Sequence, residues 1–217
     1  MLSFGQEGES FGMLAGLCGV AVNDQDEIPV TECGNHRVSV FSSDGTHLRS
    51  FGGEGHNNGA FQFPSWIAFD SLGNIVVPPA PPPPPPPKKN IVLADCGNHR
   101  VQVFDRNGKF VSRFDELGSL DNQLSDPEGL LINGKDNIIV ADRDNKLIKI
   151  FSSSGKYLCK FGGASSLVNP YHCIQHGQYF IVSEEINFVR LFCLDILICR
   201  NWLCSWLCST CKYILSI

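Results

Sequence analysis

The sequence lacks the features that mark an exported or membrane-spanning chain. Its first twelve residues contain no basic start followed by an apolar run, and the 217 residues contain no Asn-x-Ser/Thr acceptor for N-glycosylation. In the apolar C-terminal stretch, Asp195, Arg200 and Lys212 interrupt any run of about 18 apolar residues. We therefore predict a cytoplasmic protein that makes no membrane contact and keeps most of its ten cysteines reduced.

An excess of positive charge is also missing. Lysine and arginine total 17 against 22 acidic residues, which gives a net charge of −5 and an isoelectric point near 5.6. The average field of the protein therefore does not attract phosphate backbones, and nucleic-acid binding would need a local basic patch. The sequence has almost no helical periodicity either, which excludes a helical bundle.

Instead, the chain repeats itself. The phrase "ECGNHRVSVF" at residues 32–41 returns as "DCGNHRVQVF" at residues 95–104. Phenylalanine marks the same point of four units at Phe4, Phe51, Phe114 and Phe161, at intervals of 47, 63 and 47 residues. The long interval contains a 16-residue insertion, "PPAPPPPPPPKKNIVL", at residues 78–93, and its removal restores the spacing of 47. A period of this size is typical of repeat architectures.

Each unit divides into four short apolar segments separated by turn residues. In the third unit these are residues 129–132, 137–141, 146–151 and 157–161, with "SSSG" before the last segment. Four antiparallel strands every ~45 residues are expected for a propeller blade. We predict an all-β fold, a partial β-propeller of about four four-stranded blades that is not closed, over residues 1–192. Residues 193–217 form a separate Cys-rich hydrophobic tail.

Prolines mark where the units begin. Pro64, Pro127 and Pro170 each precede a first apolar segment, which suits the first residue of a strand. Pro29 instead aligns with the interior of a strand, where its missing N–H would cost a hydrogen bond of the sheet. The sequence offers no explanation for Pro29.

These motifs resemble the NHL-repeat family of six-bladed propellers, named for an Asn-His-Leu triplet. The triplet reads Asn-His-Arg in the first two units, and the match extends to "NIVVADCGNHRVQVF", "DRNGKF" and "RSFGG". The long linkers, such as "FGGEGHNNGAFQFP" at residues 51–64, are similar to those of the C-terminal propeller of tripartite-motif (TRIM-NHL) ubiquitin ligases.

The resemblance implies a ligand-recognition module for protein or single-stranded RNA, with no enzymatic activity, metal or cofactor of its own. In full-length relatives such a module is linked to ubiquitin-ligase substrate recruitment or to post-transcriptional regulation. We expect no RING-type ligand cluster ahead of Cys33. The oligomeric state stays open.

We assign a structural role to the repeated triplet, because residues that pack one unit against the next must recur. This structural motif comprises Asn35, His36, Arg37, Asn98, His99, Arg100 and Asn145. We expect the two arginines to pair with a carboxylate of a neighbouring blade, such as Asp95 or Asp142.

Residues that occur only once in the repeat pattern are better candidates for ligand binding, and they concentrate in the linkers. Together with Arg37 and Arg100 of the repeated triplet, the candidates on the propeller face are His56, Phe61, Phe63 and Tyr171. They include the aromatic and basic side chains that base stacking and phosphate contact need. Acidic neighbours such as Asp121 and Asp126 argue against RNA.

Two alternatives remain open. Some six-bladed propellers are metal-dependent lyases or lactonases, and the inner-strand starts offer Ser65, Trp66, Glu128, Tyr171 and His172. These residues form an inconsistent set of ligands. The chain could also act as a scaffold, because the polyproline segment at residues 78–87 fits the aromatic grooves of SH3-like or WW-like modules.

Overall fold

A computed structural model describes residues 4–70, 90–114, 117–177, 179–185 and 188–193. Within these ranges the chain forms fifteen β-strands and one short 3-10 helix. No helix in the described part of the chain is long and apolar enough to cross a membrane. Four separate antiparallel sheets follow one another along the sequence, and in each sheet the strands are paired in chain order.

The four sheets are the blades of a propeller, and the bounds of their strands are as follows. Blade 1 contains β1 (Leu17–Val20), β2 (Ile28–Glu32), β3 (Arg37–Phe41) and β4 (His47–Gly52). Blade 2 contains β5 (Pro64–Phe69), β6 (Ile91–Asp95), β7 (Arg100–Phe104) and β8 (Phe110–Phe114), with the 3-10 helix Cys96–Asn98 between β6 and β7. Blade 3 contains β9 (Pro127–Ile132), β10 (Ile138–Asp142), β11 (Leu147–Phe151) and β12 (Tyr157–Gly162). Blade 4 contains β13 (Pro170–His176), β14 (Tyr179–Glu184) and β15 (Val189–Cys193). The prediction of an open all-β propeller of about four blades is confirmed.

The hydrophobic core lies between the blades. Leu93 of β6 packs in the cluster that joins blades 1 and 2, whereas its neighbours Val92 and Ala94 pack in the cluster that joins blades 2 and 3. Successive residues of a strand point to opposite faces of the sheet, so a central blade must be apolar on both faces. Ile139 and Ala141 face blade 4 in the same way, in the third cluster.

The strand register separates two faces of the propeller. Pro64 pairs with Asp95, and Asp95 pairs with Arg100, so the first strands begin where the β2–β3-type turns lie. This end, together with the linkers that enter the blades, is called the linker face below. The opposite end carries the remaining hairpins, such as residues 105–109, and is called the hairpin face. The Asn-His-Arg phrases therefore lie on the linker face.

The three opening prolines are the first residues of β5, β9 and β13, as predicted. Pro29 does lie inside β2, opposite Val40 of β3. Its carbonyl accepts a hydrogen bond from Ala21, one residue past the end of β1. Because the N–H and C=O groups of a strand residue point to the same side, the N–H that Pro29 lacks would point toward Ala21 rather than β3. Pro29 therefore leaves the β2–β3 pairing intact.

The proline-rich insertion lies in the β5–β6 connection. The predicted bounds of the insertion, residues 78–93, are too long, because Ile91, Val92 and Leu93 form β6 together with Ala94 and Asp95. The strand is preserved because "NIVL" replaces the equivalent "NIVV" that precedes the prolines. Residues 71–89 lie outside the described residues, so SH3 or WW binding at residues 78–87 stays a proposal. The predicted tail also lies outside them, apart from Cys193 at the end of β15.

Candidate functional site

A buried carboxylate near the end of the second strand holds the linker of every blade. The carboxylates belong to Glu32, Asp95, Asp142 and Glu184, all at most 5% exposed. Their linker donors are the main-chain N–H groups of Ala15, Gln62, Ser125 and Val168, at 2.7 to 3.3 Å. A buried carboxylate that accepts a linker N–H thus recurs in all four described blades.

Arg100 completes this arrangement in blade 2. Its Nε donates to Asp95 Oδ2 at 2.8 Å, and its two terminal nitrogens donate to the carbonyl oxygens of His56, Asn57 and Ala60 at 2.7 to 3.0 Å. The planar guanidinium group suits such a fan of acceptors. Arg100 therefore ties the linker of blade 2 to its second strand.

Arg37 repeats the arrangement in blade 1. It pairs with Glu32 at 2.9 Å and donates to the carbonyl oxygens of Glu9, Ser10 and Met13. The expectation that these arginines pair with a neighbouring blade is wrong, since each carboxylate lies on the strand paired with the arginine's own strand. The guanidinium groups are fully engaged in structure, and ligand contact by Arg37 or Arg100 stays a prediction.

Blades 3 and 4 supply the cation from a different position. Leu147 stands where blades 1 and 2 have arginine, and Lys149, two residues further along β11, binds Asp142 at 2.9 Å and the carbonyl oxygens of Leu120 and Gln123. In blade 4, Arg190 pairs with Glu184 from the same shifted position. A shift of two residues keeps a side chain on the same face of a strand.

The asparagine of the triplet also binds the linker. Asn35, Asn98 and Asn145 donate to the carbonyl oxygens of Gly8, Gly55 and Gly118, respectively, at 2.8 to 3.0 Å. Each side chain also donates to the buried carboxylate of its own blade. Each asparagine therefore joins the linker to the buried carboxylate of its own blade.

The histidine of the triplet joins one blade to the next. His36 and His99 adopt the left-handed conformation, with φ of 51° and 53°. Nδ1 of His36 accepts the main-chain N–H of Phe63, and Nδ1 of His99 accepts that of Asp126. Phe63 and Asp126 directly precede the prolines that open blades 2 and 3. The histidines therefore connect neighbouring blades.

Three of the predicted ligand-binding residues lie in the linker before blade 2, and two of them are Phe61 and His56. Phe61 is 0% exposed and packs between Phe51 and Phe104, so its ring offers no surface to a ligand. His56 is exposed, and its ring contacts Asn98 and Gln62.

The other two aromatic candidates are accessible on the linker face. Phe63 is 56% exposed and packs edge-on against His36, with ring centroids 4.8 Å apart. Tyr171 is 45% exposed, at the second position of β13. Burial and the carboxylate of Glu128 raise the pKa of Tyr171, with the charge of Glu128 as the larger cause. Tyr171 therefore lies close to the carboxylate of Glu128 on the linker face.

A group of polar residues links blades 2, 3 and 4 on the linker face. The Cys96 thiol donates to Asp126 Oδ1 at 2.8 Å, and Arg143 binds Asp126 Oδ2 at 2.7 Å. Arg143 also binds Glu185 at 3.0 Å, and Glu128 lies within reach of Cys96 and Asp126. We call these five residues the acidic cluster. Sequence reasoning missed it, because it joins residues of different blades.

Burial shapes the acidic cluster electrostatically. It is the largest cause of the raised pKa of the Cys96 thiol, to which the hydrogen bond with Asp126 adds. The pKa of Glu128 is also raised, by burial and by the charge of Asp126. The hydrogen bond from Arg143 lowers the pKa of Glu185. The cluster thus concentrates negative charge that one guanidinium group only partly neutralises.

Residues near the start of the first strand of each blade, which are the candidates for a lyase-type site, take part in packing between the blades. Trp66 of β5 and His172 of β13 stack with ring centroids 4.0 Å apart, and Nδ1 of His172 is buried without a hydrogen-bond partner. Gly129 of β9 lies against His172, where a side chain would collide. Ser65 Oγ donates to the Glu128 carbonyl oxygen at 2.8 Å.

Comparison with known proteins agrees with the repeat. The NHL repeat family matches residues 19–41. The protein brain tumor of Drosophila melanogaster is 27% identical over 133 residues, which are 61% of this chain and 11% of that protein. The chain therefore spans about a tenth of the length of this relative. The predicted resemblance to NHL-repeat propellers with tripartite-motif character is confirmed.

Solved structures share the propeller fold. A catalytically inactive virginiamycin B lyase from Staphylococcus aureus with quinupristin superimposes with a TM-score of 0.56 at 15% identity, over 83% of this chain and 56% of the lyase. The computationally designed Ika8 protein gives 0.52 at 12% identity, over 82% of this chain and 45% of that protein. Similarity at this level of identity concerns the fold and carries no activity with it.

Proposed function

We propose that this chain, an open NHL-repeat β-propeller of four blades, binds a protein ligand on its linker face and performs no chemistry itself. The observation that carries the proposal is a set of exposed apolar side chains on this face. They are Phe11, Phe63, Leu117, Leu120, Tyr171 and Phe188. Aromatic and aliphatic side chains of this kind anchor protein interfaces.

The charges of the linker face favour a protein ligand over RNA. The guanidinium groups of Arg37 and Arg100 are bound to carboxylates and linker carbonyls, and Arg143 is shared by Asp126 and Glu185. Phosphate groups need cations that are free to contact them. A protein segment that combines aromatic or aliphatic anchors with Lys or Arg would complement both the apolar side chains and the acidic cluster.

The role of a longer protein that contains this propeller is a further proposal. The tripartite-motif resemblance supports substrate recruitment for a ubiquitin ligase, or post-transcriptional regulation, in the cytoplasm. A binding module suffices for either role. A lyase-type activity has less support, because Ser65, Trp66 and His172 are used in packing between the inner strands.

Parallel selections on the immobilised full chain test the proposal. One uses a library of displayed random peptides, and the other uses a pool of random single-stranded RNA at physiological salt. We expect enriched basic, aromatic peptides whose affinity falls at least about tenfold with the double variant F63A/Y171A. V111A, which truncates an exposed side chain on β8, is the matched control and should not alter binding.

Two outcomes would overturn the proposal. Enriched peptides that bind the F63A/Y171A variant as well as the wild type would place the interface elsewhere. Enrichment of RNA alone, with an affinity that falls steeply with salt, would make the ligand a nucleic acid.

A further inference from the structure

We propose that Cys96, Asp126 and Glu128 form a binding site for a zinc-class divalent cation. The Cys96 sulfur and one carboxylate oxygen from each acid all lie within 4.8 Å of one another. Zinc is bound in proteins by cysteine sulfur and carboxylate oxygen, and three protein ligands leave one position of a tetrahedron open. The thiolate favours zinc or cadmium over magnesium or calcium.

The backbone brings these three donors together across the interface of blades 2 and 3. Cys96 opens the 3-10 helix that follows β6, and Asp126 and Glu128 flank Pro127 at the start of β9. The sulfur and Asp126 Oδ1 are 2.8 Å apart. Sulfur and oxygen ligands of one tetrahedral zinc ion lie about 3.6 Å apart, so side-chain adjustments of about 1 Å would admit the ion.

Neighbouring groups already hold Asp126 in place. Its main-chain N–H donates to His99 Nδ1 at 2.9 Å, and its Oδ2 accepts from Arg143 at 2.7 Å. Oδ1 is thereby left to face Cys96. Metal-binding carboxylates are commonly oriented by a second hydrogen-bond partner in this way. Arg143 itself is held by Glu185, which draws part of its charge away from the site.

The electrostatics of the three donors also favour a cation. Cys96 is buried and Glu128 is partly buried, and both lie beside Asp126. Two carboxylates and a thiol share the site with one guanidinium group, that of Arg143, so positive charge is scarce there. A divalent cation would supply that charge and displace the thiol proton to solvent.

Equivalent positions in the other blade interfaces do not repeat the set. Between blades 1 and 2 the equivalent residues are Cys33, Phe63 and Ser65, which offer no carboxylate. Between blades 3 and 4 the equivalent residues are Arg143, Asn169 and Tyr171. The three donors coincide at one of the described interfaces.

The test is a cadmium titration of the full chain, followed by the sulfur-to-metal charge-transfer band in the ultraviolet. Four tail cysteines are replaced by serine in every variant to remove their contribution. They are Cys199, Cys204, Cys208 and Cys211. Cys18 and Cys33 are replaced as well, because their thiols hydrogen-bond to each other and offer cadmium a separate pair of sulfur ligands. We expect a band that saturates at one equivalent and is displaced by Zn²⁺ but not by excess Mg²⁺. C96S should abolish the band, whereas C159S, which removes a half-buried thiol of β12, should leave it unchanged.

E128Q tests the site without removing the sulfur. It should weaken Zn²⁺ binding at least about 10-fold, while circular dichroism shows an unaltered β-sheet spectrum. This variant keeps the test decisive even if C96S fails to fold. A wild-type chain without a saturable band would overturn the site. So would a band that persists in C96S, or Zn²⁺ affinity that E128Q leaves unchanged.

Discussion

Arg100 and Asp95 form an ion pair of 2.8 Å from which water is almost excluded, since their side chains are 5% and 0% exposed. Asp95 also accepts hydrogen bonds from Asn98 and Gln102. Charges are buried at a high cost unless they are paired and hydrogen-bonded. The pair is therefore stable only as a unit, and removal of one member leaves the other as an isolated buried charge.

Replacement of Arg100 by alanine should reduce the free energy of unfolding by about 3 kcal/mol or more, because Asp95 would lose its cation and three linker carbonyls would each lose one hydrogen bond. Urea denaturation followed by circular dichroism measures the change. R37A should cost less, since Arg37 is 11% exposed and more accessible to water.

R113A is the control for this experiment, because Arg113 lies exposed on β8 and its loss should change the free energy by less than about 0.5 kcal/mol. If R100A and R113A unfolded at the same urea concentration, the assignment of a structural role to Arg100 would be wrong.

Glu32 should stabilise the fold most above its unfolded-state pKa. Burial alone would raise the pKa of Glu32, but hydrogen bonds from Arg37, Ser39 and Asn35 outweigh burial and lower it. A carboxyl group whose pKa falls on folding contributes stability that is lost as the pH drops through the folded-state pKa. The difference in Tm between wild type and E32Q should therefore shrink below about pH 4.

Asp142 should show the opposite pH dependence. Burial raises its pKa and outweighs the hydrogen bonds from Lys149, Ser125 and Asn145. A carboxyl group with a raised folded-state pKa favours folding below that pKa, and the advantage is lost as the pH rises through it. The Tm of the wild type relative to D142N should increase on acidification. Parallel trends for E32Q and D142N would contradict one of the two assignments.

Gly129 should tolerate no side chain. A Cβ atom there would lie 2.5 Å from the Tyr171 carbonyl oxygen and 2.7 Å from His172 Cα, so β13 would have to move away from β9. G129A should cost about 1–3 kcal/mol and disturb the Trp66–His172 stack, which near-ultraviolet circular dichroism reports. At Gly134 an added Cβ meets nothing within 4 Å, so G134A is the matched control. Equal stability of the two variants would refute this packing argument.

The sequence alone predicts the repeat, the four-strand unit and the opening prolines, because these depend on local turn chemistry and a period of two. It does not reveal which basic side chain of blade 3 pairs with the buried carboxylate of Asp142. Leu147 breaks the Asn-His-Arg pattern, and Lys149 restores the ion pair from two residues away, on the same face of β11. Only the register of the strands shows that the two positions reach the same carboxylate.

Linker packing and contacts between blades are harder to predict. Phe61 resembles a loop aromatic in the sequence, yet it pairs with Glu54 in an isolated bridge that recurs between Glu7 and Leu14 and between Leu117 and Leu124. The recurring position changes between leucine and phenylalanine, which hides the repeat. The contact of Cys96 with Asp126 depends on the packing of two blades, which local pattern does not specify.

The β5–β6 loop should be removable without loss of the fold. It spans residues 70–90, against residues 133–137 for the equivalent loop of blade 3. Asp70 and Asn90, the two residues at the base of this loop, are joined by hydrogen bonds of 2.6 to 3.0 Å. Asn133 and Asn137 make equivalent contacts at the base of the shorter loop in blade 3. Deletion of residues 73–88 leaves five residues in the loop, so lower closure entropy should raise the free energy of unfolding by about 1 kcal/mol.

Urea denaturation of the deletion variant measures this effect, and N90A in the same background is the control. N90A removes the side-chain contact to Asp70 Oδ2 and should lower stability, because this hydrogen bond still joins the two ends of the short loop. A large loss of stability on deletion would mean that the removed residues contribute to the core. Retained stability would instead show that Ile91, Val92 and Leu93 suffice for β6, which makes the preceding "NIVV" a dispensable second copy of the strand.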